Sequence, residues 1–158
     1  MKNNNLYFLV SFLLVLVFSS NLFSDELKIN STKIQYDNIN KVTIFEGNVN
    51  SSDEKGNQIF SEYARYNKLE KTIKTKGDTK IITTGGYEIV SSNVVFNNKK
   101  NIIYSNNKTN ILDEDGNNIS VEMFNYSILT GVFFSKGNIE IKDLNNNKYS
   151  FSEIYIDE

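Results

Sequence analysis

The stretch Ile73-Lys74-Thr75-Lys76-Gly77-Asp78-Thr79-Lys80-Ile81 alternates residue by residue, apolar or small side chains at the odd positions and charged ones between them. A period of two marks a strand with one buried face, because successive side chains on extended backbone point to opposite sides. The glycine at its centre belongs to a longer pattern. Gly47 stands 30 residues before it and Gly137 60 residues after, with Asn107 in the remaining copy. Other columns agree at the same offset: Gly56, Gly86, Gly116 and Asn146; Ile59, Ile89, Ile119 and Tyr149; Ala64, Val94, Phe124 and Ile154; Tyr66, Phe96, Tyr126 and Ile156. Ile29, Ser31, Ile34 and Tyr36 fall in register over Ile59, Ser61, Ala64 and Tyr66. A fixed period without insertions means one supersecondary unit stacked on itself, each copy covering the open face of the next.

Each unit reads as two strands joined by tight turns. Asp53 to Gly56, Gly85-Gly86, Asp115-Gly116 and Asn145 to Asn147 occupy equivalent places, and Asp37 to Lys41, Asn67 to Lys71 and Asn97 to Asn101 mark the opposite ends. Gly and Asn there tolerate the positive φ that tight hairpins demand. Two strands per repeat leave roughly 11 or 12 residues each, about twice the usual strand, so the strands are expected to bend. In the second strand Ile89 and Ser91 face inward, and so do Val94 and Phe96, which have the other parity. A bulge near Ser92-Asn93 reconciles the two, and the glycine column marks the matching bend in the first strand. The expected fold is therefore all-β: an antiparallel jellyroll of bent strands built from a 30-residue repeat, creased into two layers around an apolar channel. A parallel β-helix is the competing geometry, but it has no need of tight hairpins at both ends of each unit. No segment after residue 25 has helical spacing.

A chain of 158 residues bounds this to one domain. Lys2, the apolar run from Leu6 to Phe18 broken only by Ser11, and the small or polar Ser19-Ser20-Asn21 have the layout of a signal peptide. Cleavage after Ser24 leaves a mature domain over residues 25–158; an uncleaved anchor from Leu6 through Phe23 is the rival reading. Cysteine and histidine are both absent, which removes disulfides, thiolate chemistry, the commonest catalytic triads and zinc sites. No catalytic residue, metal ligand or cofactor is assigned. A net charge of −2 is no electrostatic footprint for nucleic acid. Asp113-Glu114-Asp115-Gly116 with Glu122 has part of an EF-hand spacing, yet it puts Ile111 at the first ligand position and reads better as a hairpin turn. A hydrolase built on paired carboxylates needs a shared cleft, whereas these acids fall in turns and on outward faces. Of the lysines Lys68, Lys71, Lys74, Lys76 and Lys80, the last three oppose Ile73 and Ile81 on the pleat and belong to a solvated outer face.

Phe45-Glu46-Gly47-Asn48-Val49, Lys76-Gly77-Asp78-Thr79 and Ser135-Lys136-Gly137-Asn138-Ile139-Glu140-Ile141 resemble the repeated x-G-N-V-x-I strands of the OstA-like domain. That domain is shared by the lipopolysaccharide-transport proteins LptA and LptC and the N-terminal part of LptD. Ile59-Phe60-Ser61-Glu62-Tyr63-Ala64-Arg65-Tyr66-Asn67 and the later copy Ser150-Phe151-Ser152-Glu153-Ile154-Tyr155-Ile156 are similar to a second strand of that family. The resemblance covers about residues 25–158, and Asn107 departs from it at the glycine column. It implies a "β-taco" jellyroll, not an enzyme, that shelters lipopolysaccharide acyl chains in an apolar groove and delivers them towards the outer membrane. It implies a periplasmic location associated with the outer membrane, and domains of this kind joined edge to edge.

The candidate groove residues are the inner columns: Val49, Ile59, Ala64, Tyr66, Ile73, Ile81, Ile89, Val94, Phe96 and Ile103, continued by Ile111, Ile119, Phe124, Tyr126, Phe133, Ile139, Ile141, Ile154 and Ile156. The last strand, residues 149–156, has no proline and carries Tyr149, Phe151, Ile154 and Ile156, so an unblocked edge is expected there. Its expected partner is another jellyroll domain docking head to tail, or a following segment such as an outer-membrane assembly barrel. The alternative function is a structural or adhesive β-solenoid envelope repeat with no lipid ligand, in which the inner columns are plain core.

Overall fold

A computed structural model describes residues 28–53 and 56–157; the expected signal peptide lies outside them. Among the described residues all regular structure is β: β1 (Lys28–Asn30), β2 (Lys33–Asp37), β3 (Val42–Ser52), β4 (Gln58–Asn67), β5 (Thr72–Thr75), β6 (Asp78–Ile82), β7 (Glu88–Ser92), β8 (Val95–Asn97), β9 (Ile102–Ser105), β10 (Thr109–Leu112), β11 (Asn118–Val121), β12 (Phe124–Ser127), β13 (Val132–Lys142) and β14 (Lys148–Asp157). All pairings are antiparallel. One layer runs β2-β3-β4-β5-β8-β9-β12-β13-β14. The other runs β1-β3-β4-β6-β7-β10-β11-β13-β14. Only β3, β4, β13 and β14 are long enough to belong to both. The remaining passes, expected as single bent strands, are broken in two at the crease, as β5 is from β6 and β7 from β8.

The crease follows from side-chain parity. Gly47, Gly77 and Gly137 take φ of 74°, 77° and 117°, and the register slips between Glu46 and Val49 and again between Lys136 and Ile139. On the partner strand Asn93 takes φ 52° between β7 and β8, at the place where the parity of Ile89, Ser91, Val94 and Phe96 demands it. The slip on the partner strand turns its next half over, while the glycine strand keeps one parity and bends, so both present apolar residues to the interior in both layers. Asn107 solves the problem differently, staying out of the left-handed region. Its side-chain Nδ2 donates to the Ser92 carbonyl at 3.0 Å, so a side chain holds the bend that a glycine makes elsewhere.

The turns form the free rims of the two layers. Gly56, Gly86, Gly116 and Asn146 are all left-handed, as expected of that column. Asp53, Asp113 and Asp143 each accept hydrogen bonds from the backbone N–H and the side-chain Nδ2 of the asparagine four residues on, at 2.7–2.9 Å. Asp113 is thus spent on its own hairpin. The Asn147 amide likewise holds the Asp143 carboxyl below the ordinary aspartate range. Its stabilising bonds are complete above the ordinary aspartate value and are lost as the pH falls through the lower folded one.

Alanine at Gly77 has to adopt φ 77° but meets nothing within 4 Å. Alanine at Gly137 has to adopt φ 117°, beyond the left-handed helical well, with its Cβ 2.6 Å from Glu122 Oε2. Gly77→Ala is expected to cost about 1 kcal/mol and Gly137→Ala about 2–3 kcal/mol. Urea unfolding of both variants checks the order.

Candidate functional site: the interior of the crease

Cross-strand register builds four inner columns. Along the rim of the first layer run Thr43, Tyr66, Ile73, Phe96, Ile103, Tyr126, Phe133 and Ile156, each opposite the next. Beside the crease in that layer, Ala64 stands between Phe45 and Thr75, Ser105 meets Phe124, and Ser135 meets Ile154, with Val94 bonded to Thr75. In the second layer Val49, Ser61, Thr79 and Ser91 pair in turn, then Thr109, Val121, Ile139 and Phe151. The last column is Ile29, Ser51, Ile59, Ile81, Ile89, Ile111, Ile119, Ile141 and Tyr149. Every groove candidate selected from the sequence falls in one of these columns. The structure brings all of them to one interior, although Ile154 and Ile156 near the open end are only half-buried.

The channel expected between the layers is filled by its own walls. Phe124 and Ile139 are 0 % exposed and Ile81 and Ile111 only 1 %. The rings of Phe124 and Phe133 stack with centroids 5.8 Å apart. Two facing apolar sheets with nothing between them close until their side chains interdigitate, because open apolar walls in water are costly. The packing is not continuous. One cluster spans Ile81 to Ile139, a smaller one holds Phe45, Val49, Ala64 and Ile73, and half-buried Phe96 packs against both.

Sequence reasoning missed the hydroxyls that line the crease. Thr75, Ser105 and Ser135 recur two residues before the glycine or asparagine of each bend. Their Oγ atoms donate to the carbonyls of Val94 (3.3 Å), Ser92 (2.7 Å) and Met123 (2.7 Å) beside the crease, and Thr75 Oγ1 also accepts from the Val94 N–H at 2.9 Å. Thr79 Oγ1 donates to Thr75 Oγ1 at 2.7 Å, and the hydroxyls of Ser91 and Thr109 share a bond of 2.8 Å. A Ser/Thr-x-Gly/Asn motif at period 30 was the available signal. Phe45 at the same column position obscured it, and in turn was overlooked because its column is otherwise hydroxylic. Val121 escaped for the same reason, standing over Ser31, Ser61 and Ser91.

The interior is uncovered at both ends of the stack. β1 and β2 pair only with β3, and β14 only with β13, among the described residues. The inner residues there lose their cover: Ile34 and Tyr36 are 58 % and 57 % exposed, Tyr149 and Phe151 both 47 %. The long rims differ in charge. Turns of the first layer carry Lys41, Lys68, Lys71, Lys99 and Lys100 against Asp37 and Glu70. Turns of the second carry Asp53, Asp113, Glu114, Asp115 and Asp143. Lys74 is exposed on the outer face, and Lys80 pairs there with Glu88 at 2.8 Å.

No family model matches the chain, and no curated protein does. Among solved structures it is similar to LptH of Pseudomonas aeruginosa, described as the LptA-homologous periplasmic component of the lipopolysaccharide transport device. The TM-score is 0.58 at 8% identity, over 85% of this chain and 96% of that one. At that identity the likeness is one of fold: the chain has the LptA-like β-jellyroll fold.

Phe124→Ala is expected to lose about 3–5 kcal/mol, the usual cost of emptying a fully packed aromatic site. Phe151→Ala, whose ring is already half in water, is expected to cost under about 1 kcal/mol. Paired denaturant curves measure the contrast.

Proposed function

We propose that the protein carries lipopolysaccharide through the periplasm, holding its acyl chains between the two layers of the jellyroll. The observation that carries this reading is the run of apolar inner columns from one uncovered edge to the other, on a fold shared with a lipopolysaccharide-transport component. Nothing in the mechanism makes or breaks a covalent bond. Acyl chains gain about 0.8 kcal/mol per CH₂ removed from water. To admit them the walls give up contacts with each other and remake them with the chains, so loading is an exchange of one apolar contact for another. A near-balanced exchange suits a carrier, which has to release what it binds. The lysine-bearing rim of the first layer then lies beside the mouth, where it meets the phosphates of the headgroup.

The edges supply the route onward. Among the described residues, strands β1, β2 and β14 have one side unpaired and their inner apolar residues uncovered. Such edges recruit strands of other chains unless blocked. Their partner in this reading is a further jellyroll domain of the same kind, or the outer-membrane assembly barrel at the end of the path, so that the inner columns continue across the junction. The second reading, an envelope repeat without ligand, draws on the contact already made between the walls.

Photo-crosslinkers at Phe96, Phe124, Tyr126 and Phe133 are expected to capture lipopolysaccharide, and those at Lys74 and Lys80 to remain bare. Equal capture at both sets, or none, favours the repeat without ligand. For the edge, the purified protein is expected to self-associate with rising concentration, and Phe151→Lys to reduce that by placing a charge on the inner face of β14. A monomer at high concentration whose β14 amides resist hydrogen exchange removes the docking role.

A further inference from the structure

Ser51 is out of place. It sits in the isoleucine column, paired with Ile29 on one side and Ile59 on the other, and the residues 30, 60 and 90 positions further on are Ile81, Ile111 and Ile141. It is 4 % exposed, and among the described residues its Oγ is the one buried side-chain polar atom without a hydrogen-bond partner. The other buried hydroxyls of the interior are all engaged: Ser61 with the Tyr63 carbonyl, Thr75 with Val94, Ser91 with Thr109, Ser105 with Ser92 and Ser135 with Met123. An unmet buried hydroxyl costs stability on the order of 1–3 kcal/mol, so a fold that pairs the rest so thoroughly has a reason to keep it.

A cavity of about 20 Å³ adjoins it, with Ser51, Asp53 and Asn57 on one side and Phe96, Tyr126 and Ile128 across from them. It lies between the layers, near the rims, at the end of the larger core cluster where Phe96 reaches the smaller one. A space of that size holds one water and no chain. It is nevertheless a gap between the walls, because Ser51 contributes two heavy atoms fewer than isoleucine would.

We infer that this slot is the portal through which an acyl chain passes between the layers, and that Ser51 Oγ donates its hydrogen bond to the ester or amide carbonyl linking that chain to its headgroup. The inference rests on the lipid-carrier reading above and adds the point of admission and the chemical class of the linkage. The geometry separates the two parts of an amphiphile. Isoleucine and aromatic walls below Ser51 take the hydrocarbon, while the turn of Asp53 and Asn57 above it is polar and leaves the headgroup outside. A carbonyl joins those parts, and it accepts the hydrogen bond that the unpaired hydroxyl is free to donate.

The test uses the mature protein and two fluorescent probes of equal chain length, one a long-chain N-acyl amide and the other the N-alkyl amine that lacks the carbonyl. Wild-type protein is expected to bind both. Ser51→Ala keeps the space and removes the donor, so it should weaken the amide about three- to tenfold, the worth of one hydrogen bond, and leave the alkyl probe unchanged. Ser51→Ile fills the slot and should abolish binding of both probes while raising the melting temperature. Ser51→Val, a smaller filling, keeps that arm readable if isoleucine does not fit. Isoleucine or valine variants that bind as wild type overturn the portal. A Ser51→Ala variant that weakens both probes equally overturns the assignment to the carbonyl. Wild-type protein that binds neither probe refutes the lipid reading itself, a separate result.

Discussion

The structure depends on a change of parity halfway along every second pass of the chain. On an unbroken strand, residues an odd number apart face opposite sides of a sheet. Ile59 and Ala64 are five apart, Ile89 and Val94 likewise, yet each pair faces one interior. The contradiction is removed only if one residue drops out of the alternation on those passes, at positions such as Asn93, while the glycine passes keep one parity throughout (Ile73, Thr75, Thr79, Ile81) and bend at Gly47, Gly77 or Gly137. That one displacement converts a long sheet with two half-greasy faces into two layers with a common inside.

The displacement has a consequence in hydrogen bonding. Where the register slips, backbone groups leave the ladder, and at the bottom of the crease they are out of reach of water. Thr75, Ser105 and Ser135 supply hydroxyl partners there, set among Phe45, Phe124 and Ile139, while the upper walls are isoleucine and aromatic.

Much of this was legible before any coordinates. The repeat set the columns, parity located the bulge at Asn93, and glycine and asparagine marked the turns, since each depends on local chemistry repeated in register. Three things were not legible, and each depends on what faces what across the interior. Breakage of the inner passes into half-strands reflects how sharply neighbours bend together. The hydroxyl column was hidden by Phe45 in its first copy. Contact between the walls is a property of two layers, and no pattern along one chain encodes how far apart they sit. Ser51 combines both kinds of information: the sequence shows a serine in an isoleucine column, but only the packing shows that its hydroxyl has no partner.

Contact between the walls bears on how such an interior can act at all. A permanently open apolar groove would collapse or gather other chains, so a stable resting form has to bury its own surface. Here the central repeats do so completely, whereas the ends and the junction at Phe96 do so in part. On the carrier reading proposed above, opening begins where packing is thinnest, at the junction or at the uncovered edges, and proceeds along columns whose neighbours are chemically alike. In a column where isoleucine follows isoleucine from Ile81 to Ile141, a bound hydrocarbon meets nearly the same environment at each step. Uniform walls hold a chain without holding it anywhere in particular. That is the property a passage needs and a storage site does not, and it comes directly from repeating one unit of 30 residues.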